Sequence, residues 1–115
     1  MRSETLLPWP ILTDTRILIL LFLISVPARA QETGEALFKA KCGMCHGADA
    51  SGKTVMGQKL KVPDLHSADV QKKADAELGQ LITKGKEKMP AYEGKLSKEQ
   101  IEKLVAFIRE VGKKH

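Results

Sequence analysis

Cys42-Gly43-Met44-Cys45-His46 is the stretch that decides the fold of this 115-residue chain, and it holds the chain's only two cysteines. The pattern C-x-x-C-H is typical of a site at which haem c is attached covalently. Haem carries two vinyl groups, and thiols three residues apart on one turn of chain can each form a thioether with one of them. His46 then directs its imidazole at the iron from the same side. The sequence therefore predicts three bonds from this stretch to one haem.

Other chemistry fits the cysteine pair less well. A thioredoxin-like redox pair needs a βαβ context, and no strand-like alternating run flanks the motif. A structural zinc site needs four ligands, so His46 and His66 would both have to join the two cysteines. A disulfide across so short a loop is geometrically awkward. The histidine that follows the second cysteine favours haem over these alternatives.

The first 30 residues are predicted to be a secretory signal peptide. Basic residues precede an apolar run over 17–24, and Ala28-Arg29-Ala30 has the small residues of a cleavage site. Cleavage after Ala30 would leave residues 31–115 in the periplasm or another extracytoplasmic compartment, where haem c is attached. An uncleaved membrane anchor is the alternative, although Asp14 and Arg16 interrupt any longer apolar segment. No membrane span is predicted in the mature chain.

Residues 31–115 are predicted to form one domain, which has a formal net charge of +4 compared with +5 for the whole chain. A chain of 85 residues buries a small hydrophobic core and usually needs a disulfide, a metal or a bound cofactor to be stable. Its only aromatic residues are Phe38, Tyr92 and Phe107, too few for an ordinary core. Bound haem would supply the missing apolar surface. Basic and acidic residues are interspersed and no reading motif is present, which argues against a nucleic-acid partner.

Capping residues predict several short helices. Thr33 is a candidate N-cap for a helix that leads into the cysteine motif, and Ser67 is one for a short helix after it. Asp75 is expected to cap a further helix, which ends at Gly85. Residues 47–57 are rich in small, turn-forming side chains and are predicted to be a loop.

The last helix has the clearest sequence signal. Ser97 and Gln100 form a capping box ahead of apolar residues at spacings of three and four. These apolar residues are Ile101, Leu104, Val105, Ile108 and Val111. No stretch alternates in the manner of a strand, so the domain is predicted to be all-α.

A second iron ligand decides whether the haem carries electrons or binds a small molecule at an open position. Met89 is the predicted ligand, since it lies 43 residues beyond His46 at the end of a loop whose next residue, Pro90, restricts the backbone. Met56 and His66 are the alternatives, together with an open position.

Five segments of the chain resemble the class I c-type cytochromes, the small monohaem proteins of bacterial and photosynthetic type. The segments are Gly34-Glu35-Ala36-Leu37-Phe38, Cys42-Gly43-Met44-Cys45-His46-Gly47, Pro63-Asp64-Leu65, Gly85-Lys86-Glu87-Lys88-Met89-Pro90-Ala91-Tyr92 and Leu104-Val105-Ala106-Phe107-Ile108-Arg109. The resemblance covers nearly all of residues 31–115. It implies an all-α cytochrome c fold, with three to five helices around one covalently bound haem.

The resemblance also implies the role of each site residue. Cys42 and Cys45 would anchor the haem through thioethers, and His46 and Met89 would be the axial ligands of the iron.

Two structural contacts are implied as well. Gly34 and Phe38 would pack against Phe107 where the first and last helices cross. A proline carbonyl would accept a hydrogen bond from the second nitrogen of the iron-binding histidine and so orient its ring, and Pro63 matches that proline.

These features predict a one-electron carrier rather than an enzyme. The protein is expected to be exported and to shuttle electrons between larger redox complexes through a haem ligated by histidine and methionine. The alternative is a cytochrome c subunit of a dehydrogenase or of a sulfur-oxidising complex. A gas sensor or peroxidase with five-coordinate haem would require that Met89 does not bind the iron.

Lysines near the predicted site suggest how redox partners dock. Lys84, Lys86 and Lys88 precede Met89, and Lys39 and Lys41 precede the cysteine motif. A basic rim at the haem edge would steer an acidic docking face toward it. The alternative is ordinary solvated charge, offset by nearby glutamates.

Overall fold

Helix α1 begins close to the start of the described chain and leads into the cysteine motif. The structure is a computed structural model that describes residues 31–114, so the predicted signal peptide lies outside the described residues. The helices are α1 (Gly34–Lys41), α2 (Gly43–His46), α3 (Val55–Leu60), α4 (Ala68–Gln71), α5 (Asp75–Lys84) and α6 (Lys98–Gly112). None of the helices in this range is long and apolar enough to cross a membrane.

Hydroxyl side chains cap the starts of four helices. Thr33, Thr54, Ser67 and Ser97 each accept a hydrogen bond from the backbone N–H three residues later. At α6 the Gln100 side chain also accepts from the N–H of Ser97 at 2.8 Å, which completes the capping box. Each such cap stabilises its helix by about 1 kcal/mol. The predicted caps at residues 33, 67 and 97 are confirmed.

The all-α prediction is confirmed, with local differences. Apart from an isolated bridge between Lys86 and Met89, no β-pairing occurs within residues 31–114. The described helices number six rather than three to five, because α2 and α4 are single turns of four residues.

Two boundary predictions are wrong. Residues 55–57 belong to α3 rather than to a loop, because Thr54 caps a turn that the small neighbouring residues do not signal. At α5 the N-cap position is Ala74, and Asp75 is the first helical residue. A carboxylate in the first turn still stabilises the helix through its dipole.

Helices α1 and α6 cross in close contact. A Cβ atom on Gly34 would lie 2.3 Å from the carbonyl oxygen of Lys103, so only glycine permits this approach. Beside it, the rings of Phe38 and Phe107 pack with their centroids 5.0 Å apart. The predicted packing of Gly34 and Phe38 against Phe107 is confirmed.

The hydrophobic core is built mainly on α6. Its buried apolar residues are Leu37, Phe38, Ala50, Leu65, Val70, Leu78, Ile82, Leu96, Ile101, Leu104, Val105, Phe107, Ile108 and Val111. Six of these fourteen belong to α6, which packs against both α1 and α5. All five apolar residues predicted from the spacing of the last helix are buried.

A polar junction joins the α4–α5 connection to α6. The guanidinium of Arg109 donates to the Asp75 carboxylate at 2.7 Å and to the carbonyls of Gln71 and Lys73. The Gln71 side chain in turn donates to the carbonyl of Ile108 at 3.0 Å. Arg109 thus supplies hydrogen-bond donors to the carbonyls of Gln71 and Lys73, which lack donors within a helix.

Candidate functional site

The cysteine motif forms one tight turn at the end of α1. Cys42 ends α1 by donating its N–H to the Phe38 carbonyl at 2.8 Å, and its own carbonyl accepts from the N–H of His46 at 2.9 Å. Residues three and four apart share one face of a helix. This turn therefore brings the side chains of Cys45 and His46 to the same side as that of Cys42.

The two thiols are free and half-buried. Burial raises the pKa of the Cys42 thiol to about 11, and the neighbouring Cys45 adds to the shift. A reactive redox cysteine needs a lowered pKa, and zinc binding needs thiolates. No group of three or more His, Cys, Asp or Glu side chains within residues 31–114 is placed to hold a metal ion. The raised thiol pKa and the lack of further metal ligands in this range argue against a reactive thiolate and against a zinc site.

His46 presents a half-buried imidazole beside the motif. Its ring lies beside Phe38, with centroids 6.0 Å apart, and burial lowers the pKa of His46. A neutral imidazole nitrogen can bind a metal. The Nδ1 atom of His46 is buried and has no hydrogen-bond partner among the described residues. Buried polar atoms normally have a partner, so a buried ring nitrogen without one fits an imidazole that a bound group holds in place.

The hydrogen bond implied between His46 and Pro63 is absent among the described residues. The segment around Pro63 is held elsewhere, because Val62 donates to the Gly57 carbonyl at 2.8 Å and Leu65 donates to the Ala50 carbonyl at 2.9 Å. Pro63 itself is exposed. These backbone bonds keep the segment along the loop that follows the motif.

Met89 closes a tight turn after α5. The N–H of Lys86 donates to the Met89 carbonyl at 3.2 Å, and the N–H of Met89 donates back to the Lys86 carbonyl at 2.9 Å. Gly85 begins the turn with φ +71, and a Cβ there would lie 2.6 Å from the Met89 carbonyl oxygen. The sequence Gly85 to Met89 thus positions the methionine on a constrained turn rather than on a flexible loop.

The structure brings Met89 and the cysteine motif to the same core. Met89, Cys42 and Tyr92 are the partly buried side chains that pack against the hydrophobic cluster. The Tyr92 hydroxyl donates to the Lys41 carbonyl at 2.9 Å, which ties the segment after Met89 to the residue before Cys42. Residues 51 positions apart in the chain are therefore in direct contact beside the motif.

The alternative iron ligands lie in other surroundings. Met56 on α3 is 38% exposed. The Nδ1 atom of His66 lies 2.6 Å from the Asp64 carboxylate, so this ring has an acidic partner of its own. Met89 differs from Met56 by packing against the core.

Sequence reasoning missed two supports of the site. Helix α3 packs on the motif, since the Thr54 hydroxyl donates to the Cys45 carbonyl at 2.9 Å. A Cβ on Gly57 would lie 2.3 Å from that carbonyl oxygen. The second support is Tyr92. Its position directly after Met89-Pro90-Ala91 was the signal in the sequence, because a tyrosine ring beside the predicted ligand can pack on the core and donate a hydrogen bond from its hydroxyl.

These side chains fit haem c. The motif supplies two thiols for the vinyl groups and one unsatisfied imidazole, while Met89 supplies a thioether sulfur. Few large side chains share this core, so an apolar macrocycle would complete it. Cys42, Cys45, His46 and Met89 are the residues that would hold the group.

Comparisons with known proteins agree with this chemistry. A family model described as cytochrome C oxidase, cbb3-type, subunit III, matches residues 29–108. Cytochrome c6 of Nostoc sp. (strain PCC 7120 / SAG 25.82 / UTEX 2576) is 40% identical over 96 residues, which cover 80% of this chain and 82% of that protein.

Two further comparisons differ in how much of the relative is covered. The cbb3-type cytochrome c oxidase subunit CcoP of Azospirillum brasilense is 31% identical over 90 residues, which cover 76% of this chain and 30% of that subunit. The solved structure of the KustC0563 c-type cytochrome is 28% identical with a TM-score of 0.64, over 69% of this chain and 96% of that one. The likeness to small cytochromes thus extends over most of both chains.

Proposed function

This chain belongs to the class I c-type cytochromes, which shuttle electrons through covalently attached haem c. We propose that it is an exported carrier whose iron is ligated by His46 and Met89. The observation that carries the ligand assignment is that Met89 and Cys42 pack on the same core. We propose that the protein works as a carrier and not as an enzyme, since a second axial ligand, the Met89 sulfur, leaves no open iron position for a substrate.

Each site residue has a separate role in this proposal. Cys42 and Cys45 would bind the haem vinyl groups, and His46 would bind the iron from the motif side. Haem c, when bound, supplies an iron that alternates between the ferric and ferrous states. Methionine ligation and an apolar shell both favour the ferrous state and raise the reduction potential.

Replacing Met89 tests the ligand assignment. In the purified holoprotein, Met89→Ala should abolish the methionine-to-iron charge-transfer band of the ferric spectrum and lower the reduction potential. Met56→Ala is the matched control, because it removes a methionine that is 38% exposed on α3, and it should leave the band unchanged. A band that survives Met89→Ala, or that disappears in Met56→Ala, would reject the assignment.

Export is the second part of the proposal. Residues 1–30 would direct secretion and be removed after Ala30, so that haem attachment takes place outside the cytoplasm. The intact mass of the secreted protein tests both steps at once. It should equal residues 31–115 plus one haem, whereas a mass that includes residues 1–30 would contradict cleavage.

Docking of redox partners is proposed at the basic turn beside Met89. Lys84 forms a 2.8 Å ion pair with Glu93, so its charge is largely neutralised. Lys86 and Lys88 form no ion pair within residues 31–114. We therefore assign the steering charge to these two lysines of the predicted three.

The oxidation rate of the ferrous protein by an anionic reagent, hexacyanoferrate(III), tests this assignment. The double variant Lys86→Gln/Lys88→Gln should be oxidised about threefold more slowly at low ionic strength, and the difference should vanish at about 1 M salt. Lys95→Gln/Lys113→Gln removes the same charge from two other lysines that form no ion pair within residues 31–114, and it serves as the control. Equal rates for the two double variants would contradict docking at the turn.

The subunit alternative is not favoured by the relatives. The match covers 82% of the Nostoc cytochrome c6 but 30% of CcoP, so the likeness extends over most of the small cytochrome and over only a part of the subunit. Native purification distinguishes the two, since a carrier should elute at the size of residues 31–115 without a larger oxidoreductase.

A further inference from the structure

The turn that carries Met89 is fastened to the end of α5. The N–H of Tyr92 donates to the Ile82 carbonyl at 3.1 Å, and the N–H of Glu93 donates to the Thr83 carbonyl at 3.0 Å. These bonds bind the chain on the far side of Met89 to the last turns of the helix. The Met89 turn is therefore attached to the end of α5.

The cysteine motif is fastened to a different helix. Cys42 and His46 continue from α1, which packs on α6 beside Phe107. Helix α5 also packs on α6, but α1 and α5 do not pack extensively against each other. Helix α6 sets the general arrangement of α1 and α5, and a direct contact between the Met89 turn and the end of α1 would fix the spacing of His46 and Met89 more closely.

The Tyr92 hydroxyl makes such a bridge. It donates to the carbonyl of Lys41 at 2.9 Å, and Lys41 is the last residue of α1 and the neighbour of Cys42. Carbonyls in the last turn of a helix lack helical donors, so this one is free to accept from a side chain. Burial raises the pKa of Tyr92, and the nearby thiols of Cys42 and Cys45 add to the shift, which agrees with a ring lying beside the motif.

We propose that Tyr92 is a positioning residue for the iron ligand, because its hydrogen bond to Lys41 holds the Met89 turn against the cysteine motif. This inference rests on the proposed ligation by His46 and Met89. Without the hydroxyl, the Met89 turn loses its side-chain bond to the motif end of α1, and an external ligand displaces the methionine sulfur more readily.

Titration of the ferric holoprotein with imidazole, followed by the methionine-to-iron band, measures this displacement. Tyr92→Phe removes only the hydroxyl, and its apparent affinity for imidazole should rise about fivefold, the factor that one hydrogen bond implies. Thr83→Val is the matched control. The Thr83 hydroxyl donates to the Gly79 carbonyl at 2.7 Å inside α5. Its loss removes no contact between α5 and the cysteine motif, so the affinity for imidazole should change less than about twofold.

Two results separate the positioning role from the ligand assignment. If the wild type shows the band and Tyr92→Phe binds imidazole no more tightly than Thr83→Val does, the role of Tyr92 is overturned while the ligation stands. If Met89→Ala keeps the band, the ligation itself fails and this inference fails with it.

A measurement on the wild type covers the case in which Tyr92→Phe does not accumulate as holoprotein. Tyr92 is the chain's only tyrosine, so the Fermi doublet in the ultraviolet resonance Raman spectrum of the wild type reports on its hydroxyl alone and should have the intensity ratio of a hydrogen-bond donor. The ratio of a phenol in water would overturn the bridge.

Discussion

Gly34→Ala tests the crossing on which the site is built. The added Cβ would lie 2.3 Å from the Lys103 carbonyl oxygen and 3.3 Å from the Cβ of Phe107. Ordinary contacts begin at about 3.4 Å, so α1 and α6 would have to separate by about 1 Å. Overpacking of this kind costs about 1–3 kcal/mol. Such a loss is a large fraction of the stability of a small domain.

Gly79→Ala is the matched substitution. Its Cβ would lie 3.8 Å from a methyl of Ile101 and 4.0 Å from one of Val105, which are ordinary contacts. Gly79 lies inside α5, where alanine is favoured over glycine by about 0.5–1 kcal/mol. The same chemical change should therefore stabilise the protein at Gly79 and destabilise it at Gly34.

Thermal unfolding of the holoprotein, followed by far-UV circular dichroism, measures both effects. For a domain of this size, Gly34→Ala should lower the Tm by about 5–20 °C and Gly79→Ala should raise it by about 2–8 °C. The Phe38–Phe107 contact should loosen in the first variant only. A Gly34→Ala protein as stable as the wild type would refute the reasoning, and so would equal losses at the two positions.

Two further predictions concern the polar contacts of the domain. Arg109→Ala should lower the free energy of unfolding by about 2–3 kcal/mol, because two carbonyls at the α4–α5 connection lose their donor. A denaturant titration measures this loss, and a value below about 0.5 kcal/mol would contradict the prediction. Hydrogen bonds from Ser51 lower the pKa of Asp49, so its contribution to stability is present above the ordinary carboxyl pKa and is lost as the pH falls through the lowered value. Asp49→Asn should therefore weaken the acid-side decline of stability, and an unchanged pH profile would show that Asp49 plays no part.

Local signals predicted much of this structure. The capping box at Ser97 and Gln100, the cap at Thr33 and the helix end at Gly85 are each formed by residues within a few positions of one another. Their geometry depends on the backbone of one turn, so sequence neighbours suffice to predict it.

Among the contacts between residues far apart in the chain, one was predicted and two were not. The crossing at Gly34 was implied by the family resemblance, whereas the bond from Tyr92 to Lys41 was not. The pairing of Lys84 with Glu93 was not predicted either, although it changes which lysines remain available for docking. Each of these contacts depends on how α1, α5 and α6 are arranged, and no local pattern encodes that arrangement.

By itself, the sequence from Cys42 to His46 determined the cofactor chemistry, because thioether spacing and an adjacent imidazole lie within one turn of chain. The tertiary structure alone decided that Met89 packs on the same core as Cys42 and that Tyr92 bridges to the end of α1. It also decided that the Pro63 segment lies along Ala50 and Gly57 instead of bonding His46. The physical reason is that residues far apart in the chain meet only where helices pack, and α6 brings α1 and α5 together.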